Sequence, residues 1–200
     1  MNHFPVDPVG LTGLAAFGLG GVLFVISLLA ARQRVRRHGI SRGGRRSPQS
    51  MVWIIGQGIG IGIAGLGRID ASLDPYSATA LWQGGVVLAL VLATVGLFSW
   101  SALTMGKNWA IVAQTRSDAT LVTTGPFAII RNPIYAALFL FMLAMAVAYG
   151  HGRNLFLAIP IYGYATWMRV RLEEGLLRAE FGGAYDAYTA RVKRFIPGVI

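Results

Sequence analysis

Residues Arg131 to Glu174 read RNPIYAALFLFMLAMAVAYGHGRNLFLAIPIYGYATWMRVRLEE. A polar opening, Arg131-Asn132-Pro133, leads into two apolar blocks joined by His151-Gly152-Arg153. The segment closes on the charged run Arg169-Val170-Arg171-Leu172-Glu173-Glu174. The apolar blocks form an out-and-back helical hairpin over 133–168, so titratable residues at both ends return to the same side. Such an arrangement places a polar site at the mouth of a membrane helix bundle, where a water-soluble ligand can meet a lipid-dissolved one.

The rest of the chain has the composition this requires. Of 200 residues, 54% are hydrophobic and 13% are charged, about half the usual charged share of soluble domains. The apolar residues come in long runs, which indicates a multi-span membrane protein. Five segments are expected: Val9–Ala31, Val52–Gly67, Ala78–Leu103, Ile134–Tyr149 and Leu155–Met168. The first and third reach the roughly 20 helical residues that cross the hydrocarbon. The others are shorter, and Pro160 is expected to bend the fifth.

Orientation follows the arginines. The loop 32–50 carries Arg32, Arg34, Arg36, Arg37, Arg42, Arg45 and Arg46, so the positive-inside rule makes it cytoplasmic. The N-terminus then lies outside and the C-terminus inside. Only Arg68 and Arg153 of the 18 basic residues fall outside. The net charge of +10 thus follows topology. It is expected to contact anionic membrane lipids, and no nucleic-acid partner is expected. The N-terminus lacks the basic n-region of a cleaved signal, so the first block is expected to stay as a span. The Ala-, Gly- and Arg-rich composition points to a bacterial inner membrane.

Other chemistries are disfavoured. Cysteine is absent, which excludes disulfides and thiolate sites. The three histidines, His3, His38 and His151, are far apart, so no metal is expected. The run Gly56-Gln57-Gly58-Ile59-Gly60-Ile61-Gly62 resembles a phosphate loop only superficially, because it lies inside a membrane helix rather than between a strand and a helix. Gly56/Gly60 and Gly58/Gly62 flatten adjacent helix faces for close packing, and Gln57 can hydrogen-bond across helices.

Residues 1–105 form an N-terminal transmembrane part, and residues 106–200 carry the motifs. These begin with Gly106-Lys107-Asn108-Trp109 and Leu121-Val122-Thr123-Thr124-Gly125-Pro126-Phe127. Pro133 fits the first helical turn, where its missing N–H costs nothing, and that helix start can receive an anion. Met168–Phe181 is expected to be an amphipathic helix with i,i+4 pairs Arg169/Glu173 and Glu174/Arg178. Successive helical positions diverge by about 100°, so one glutamate of the adjacent pair can bond locally while the other points into the bundle. Phe181-Gly182-Gly183-Ala184-Tyr185-Asp186-Ala187-Tyr188 and Phe195-Ile196-Pro197 close the chain.

This ordered set resembles the isoprenylcysteine carboxyl methyltransferase family, within a wider group that includes the phospholipid N-methyltransferases. The resemblance covers about 106–197. It implies an all-α integral membrane protein of about five transmembrane helices, with a cytoplasmic C-terminal region that binds S-adenosylmethionine. It also implies that Gly125, Pro126, Phe127, Arg131, Asn132, Pro133, Tyr135, Glu173, Glu174, Tyr185 and Tyr188 bind that cofactor. Glu173 or Glu174 would take its ammonium and Arg131 or the helix start its carboxylate. Arg194 and Asn132 are the candidate catalytic residues, with Arg194 suited to holding a substrate carboxylate. Asn132 stands where the family has His, and Asn cannot accept a proton near neutral pH. A carboxylate acceptor is already ionised and needs no base, so carboxyl O-methylation of a lipophilic, isoprenylcysteine-like substrate is the expected reaction. The alternatives are a phospholipid N-methyltransferase, an NADPH-dependent sterol or enone reductase relative, and a non-enzymatic membrane scaffold. Against the reductase, Ala136-Ala137 replaces the Gly-Glu pair usual after the tyrosine.

Overall fold

A computed structural model describes residues 6–37, 48–106 and 120–199. Lys107, Asn108 and Trp109, with most of the basic loop, lie outside the described residues. Most of the described residues are helical, with no regular strand among them. The helices are α1 (Leu11–Arg37), α2 (Pro48–Ala64), α3 (Ala78–Met105), α4 (Pro133–Ala148), α5 (Leu155–Phe181) and α6 (Gly183–Arg191). Short 3-10 turns cover Gly125–Ala128 and Gly152–Asn154.

The boundaries have local causes. Ser77 caps α3 by accepting from the Ala80 N–H at 3.2 Å, one of the donors that a helix start leaves unpaired. Gly106 and Gly182 end α3 and α5 with φ of +51°, a region that side chains with a Cβ disfavour. Pro133 occupies the first turn of α4. Pro160 lies inside α5 without ending it. The expected fifth apolar segment and the following amphipathic helix are therefore one continuous helix, which carries Glu173 and Glu174 rigidly on the end of an apolar rod.

α1 and α3 are long and apolar enough to cross a membrane, and α2 and α4 are shorter apolar helices. α1 packs along α3, and α3 along α4. α4 is central because its contact positions are alanines. Ala144 and Ala148 pack with Phe17, Val87 and Val91, while Ala137 packs with Ala31, Phe98 and Ala102. On its other side, Met142 and Ala146 meet Ala64, Ala158 and Tyr162. Phe17, Phe24, Phe98 and Phe141 form an aromatic column between α1, α3 and α4, with ring centroids 4.9–5.3 Å apart. The outward face of α1, including Leu19, Val22 and Ile26, is exposed hydrocarbon, which suits contact with lipid tails.

Within the 133–168 hairpin the structure reassigns the partner. α4 and α5 follow one another across a short turn, yet α5 packs along α2 rather than along α4. The glycine run explains this in part. A Cβ on Gly60 would lie 2.9 Å from the Tyr162 backbone nitrogen, and one on Gly56 would lie 3.0 Å from Ala165 Cβ. Gly58 and Gly62 face open space, so one of the two expected glycine faces makes the close approach.

The bundle has two distinct ends. At one, Gln83 accepts from Gly10 N and donates to the Val147 carbonyl. Asn154 donates to the Ile63 and Leu66 carbonyls at the end of α2, and His151 Nε2 lies 3.0 Å from the Arg68 carbonyl. The other end gathers the C-terminus of α1, the N-terminus of α4 and the charged part of α5.

The glycine geometry can be tested by thermal unfolding in detergent. Gly60→Ala is expected to destabilise the protein by about 1–3 kcal/mol through forced separation of two packed helices. Gly58→Ala is expected to be neutral or to stabilise by up to about 1 kcal/mol, the helix-propensity gain alone.

Candidate functional site

The first element of the site is the backbone before α4. Ile130 and Lys193 form a parallel bridge. Arg131 N donates to Lys193 O at 2.8 Å, and Asn132 N to Arg194 O at 3.1 Å. The Asn132 side-chain amide also donates to Arg194 O, at 3.3 Å. Asn132 is thus a tie between the start of α4 and the C-terminal tail, with Oδ1 as its acceptor atom.

This tie brings three charged residues together. Arg131 Nη2 bonds Glu174 Oε1 at 2.9 Å. Arg194 grips the same carboxylate in two places, through Nε to Oε1 at 2.9 Å and Nη2 to Oε2 at 2.7 Å, the fork geometry that makes arginine–carboxylate pairs strong. Arg131 Nη1 also donates to the Thr189 and Val192 carbonyls. The Arg194 guanidinium lies 4.6 Å from the Trp167 ring centroid, within cation–π range. Burial pushes the Glu174 carboxyl up. The hydrogen bond from Arg194 and the charges of Arg131 and Arg194 outweigh that, and hold it below its ordinary value. The hydrogen bond to Glu174 in turn raises Arg194.

Glu173 belongs to a second network. The Tyr135 hydroxyl sits 2.6 and 2.7 Å from its two oxygens. Arg169 Nε donates to Oε1 at 3.1 Å, and its guanidinium lies 5.1 Å from the Tyr135 ring centroid. The divergence of adjacent helical positions has separated the two glutamates. The Glu173 side chain is 25% exposed and that of Glu174 10%. The local pairing differs from expectation in one respect. Arg169/Glu173 forms, but Glu174 does not pair with Arg178, because two better-placed arginines take it. Arg178 pairs instead with Asp186 of α6 at 2.7 Å.

The remaining predicted residues build the cap over this cluster. Tyr188 donates to the Phe127 carbonyl at 2.6 Å, and burial pushes its hydroxyl up to about 12. Tyr185 is 1% exposed, with its ring centroid 6.2 Å from that of Tyr188. Pro126 and Phe127 are buried in the 3-10 turn. Gly125 has φ +58°, and a Cβ there would lie 2.8 Å from Thr104 Oγ1 at the end of α3. Pro133 and Tyr135 are buried at the start of α4.

Every predicted site residue therefore gathers at one end of the bundle. Trp167, Thr166 and Tyr162 also belong there, with Tyr162 donating to the Tyr135 carbonyl at 2.7 Å. None carried a recognisable pattern in sequence. Arg169 was legible only as an ion-pair partner one turn before Glu173. Elsewhere, an apolar groove of about 470 Å³ runs along the outer side of the α2–α5 seam, lined by residues including Val52, Trp53, Ile59, Pro160 and Tyr164.

Fold and site define an all-helical integral membrane protein with an arginine–glutamate cluster at one end of its bundle. The family model described as phospholipid methyltransferase matches residues 78–184, from the start of α3 into α6. The chain belongs to that family. It is similar to the nickel-cobalt-cadmium resistance protein NccN of Alcaligenes xylosoxydans xylosoxydans, at 31% identity over 55% of this chain and 52% of the relative. It is 32% identical to the cobalt-zinc-cadmium resistance protein CzcN of Cupriavidus metallidurans, over 58% and 53%. It is also 32% identical to the protein-S-isoprenylcysteine O-methyltransferase of Schizosaccharomyces pombe, over 44% and 37%. The chain thus spans about half the length, or less, of the curated relatives it matches. Among solved structures it is similar to the eukaryotic intramembrane Ras methyltransferase ICMT, with TM-score 0.51 and 26% identity over 78% of this chain and 54% of that one.

The clasp on Glu174 carries a pH signature. Its folded pKa is depressed, so its stabilisation is present above the unfolded value near 4.5 and is lost as pH falls through the lower folded value. The melting midpoint in detergent is expected to hold from pH 7 to about pH 5 and to fall below that. Glu174→Gln is expected to lower the midpoint at pH 7 by roughly 5 °C and to flatten the acid limb.

Proposed function

We propose that this chain is a membrane methyltransferase that uses S-adenosylmethionine to methylate a lipophilic acceptor, most directly an isoprenylcysteine-like carboxylate. The observation that carries this reading is the presence, at one end of the bundle, of an oriented, partly exposed carboxylate and an orphaned donor. Glu173 is held by Tyr135 and Arg169 but stays partly exposed. Arg131 Nε is buried with no hydrogen-bond partner among the described residues, a costly arrangement unless a ligand supplies an acceptor.

These two features fit the amino-acid part of the cofactor, which carries one ammonium and one carboxylate. Glu173 would receive the ammonium and Arg131 Nε the carboxylate. When bound, the sulfonium supplies an activated methyl group, so the protein contributes orientation and electrostatics. Tyr135 and Arg169 hold Glu173 aimed. Glu174 serves differently, because its oxygens are already taken by two arginines. Arg194 uses Nε and Nη2 on Glu174, which leaves Nη1 to hold an acceptor carboxylate. An ionised carboxylate attacks without losing a proton, which fits a cluster that contains no histidine among the described residues. His151 is bonded at the other end of the bundle.

A phospholipid amine is the second reading, favoured by the description of the matching family model. It would need a proton acceptor, and Glu173 is the carboxylate with an exposed edge. The apolar groove between α2 and α5 supports a hydrocarbon-bearing acceptor of either kind. On this reading the spans are α1 to α4 and the apolar first part of α5, Leu155–Met168, and the arginine-rich end faces the cytoplasm, where the soluble cofactor is found. The names of the two metal-resistance relatives specify no reaction, so they leave the acceptor open.

Calorimetric titration of the detergent-purified protein with S-adenosylhomocysteine, with NADPH as control, tests the reading. S-adenosylhomocysteine alone is expected to bind. Glu173→Gln is expected to weaken that binding about tenfold or more, as loss of a charge-assisted contact does, with little change in melting midpoint. Binding of NADPH alone would point to the reductase reading, and binding of neither to a scaffold.

A further inference from the structure

The glutamate that faces the cofactor pocket in this reading is oriented by a residue of α2, a helix outside the span that the family model matches. Gln57 is 3% exposed. Its Nε2 donates to Thr166 Oγ1 at 2.8 Å, and its Oε1 accepts from Arg169 Nη1 at 3.1 Å. The orientation of the amide is dictated by chemistry. A guanidinium only donates, so the oxygen must face Arg169, and the NH2 is left for the hydroxyl. Gln57 can reach α5 because the glycines on either side of it bring the helices together. A Cβ on Gly56 or Gly60 would come within 3.0 Å of α5 atoms.

Arg169 is 7% exposed and divides its donors. Nη1 goes to Gln57, and Nε goes to Glu173. The Gln57 oxygen holds Nη1 toward α2 and so fixes the plane from which Nε reaches Glu173. The second Glu173 oxygen accepts from the Tyr135 hydroxyl at 2.7 Å.

We propose that Gln57 is a positioning residue of the methyl-transfer site. Working with Thr166, it fixes the orientation of Arg169, and so the direction in which Glu173 presents its carboxylate to the cofactor ammonium. This rests on the function proposed above. The bound ligand would touch Glu173, and Gln57 acts on it through Arg169. The N-terminal half of the chain thereby sets the cofactor affinity of the C-terminal half.

The test is a double-mutant cycle on S-adenosylhomocysteine affinity, with melting midpoints measured in parallel. Gln57→Leu, similar in size but without hydrogen-bonding atoms, is expected to weaken binding about tenfold, within the range of coupled neighbours. In a Glu173→Gln background the same change is expected to have no further effect, because the group through which Gln57 acts has lost its charge. Thr166→Val is expected to weaken binding in the same direction, and Thr166→Ser to restore it. This pair tests the proposal even where Gln57→Leu does not fold. A loss of equal size in both backgrounds would reduce Gln57 to helix packing and overturn the inference. So would wild-type affinity in both Gln57→Leu and Thr166→Val. Absence of binding by the wild-type protein would instead overturn the proposed function, and this inference with it.

Discussion

The clasp of Arg131 and Arg194 on Glu174 is the interaction on which the polar end of this molecule depends. It joins three pieces of chain that are distant in sequence: the approach to α4, the charged part of α5, and the tail after α6. Desolvating a carboxylate is expensive unless its charge and lone pairs are matched. Two arginines supply more than enough, and the Asn132–Arg194 backbone tie fixes their spacing. The backbone pairing of Arg131 and Asn132 with Lys193 and Arg194 lays the tail against the start of α4, and the clasp adds α5 to that junction while Arg131 also bonds the Thr189 and Val192 carbonyls. The division of labour between the two glutamates follows from it. Glu174 is consumed by structure, and Glu173 is the glutamate that keeps a partly exposed carboxylate.

A second constraint is steric. α2 approaches α5 through Gly56 and Gly60, and only that close approach lets one polar side chain cross the seam. The same contact separates two environments. On its outer side lies the apolar groove. On its inner side, Gln57 and Thr166, the next residue of each helix, turn into the bundle and meet Arg169. An apolar compartment and an ion-bearing one therefore lie within a residue of each other along both helices. That proximity is what a reaction between a soluble cofactor and a lipid-dissolved acceptor requires.

The opposite end of the bundle is held by different chemistry. Gln83, Asn154 and His151 hydrogen-bond backbone carbonyls there, and no ion pair between side chains is recorded among the described residues. Neutral ties make that end a lock on helix order, whereas the charged end has both the potential and the partial exposure to bind a ligand.

Much of this was decided by the sequence alone. Long apolar runs can only be satisfied as buried or lipid-facing helices, so the helical class and most segment positions were legible from period and composition. Pro133 marked the start of α4, because its missing N–H is a local constraint. The gathering of Arg131, Tyr135, Glu173 and Glu174 was legible as an ordered motif set. Three things were decided only by the tertiary structure. α5 chose α2 over its hairpin neighbour, which depends on which glycine face meets which helix. Glu174 chose Arg131 and Arg194 over the helix-local Arg178, because long-range arginines compete on geometry that linear spacing does not contain. Arg169, Thr166 and Trp167 joined the site because a side chain's partners across a helix seam depend on rotation and depth. Those are properties of packing, and no local pattern encodes them.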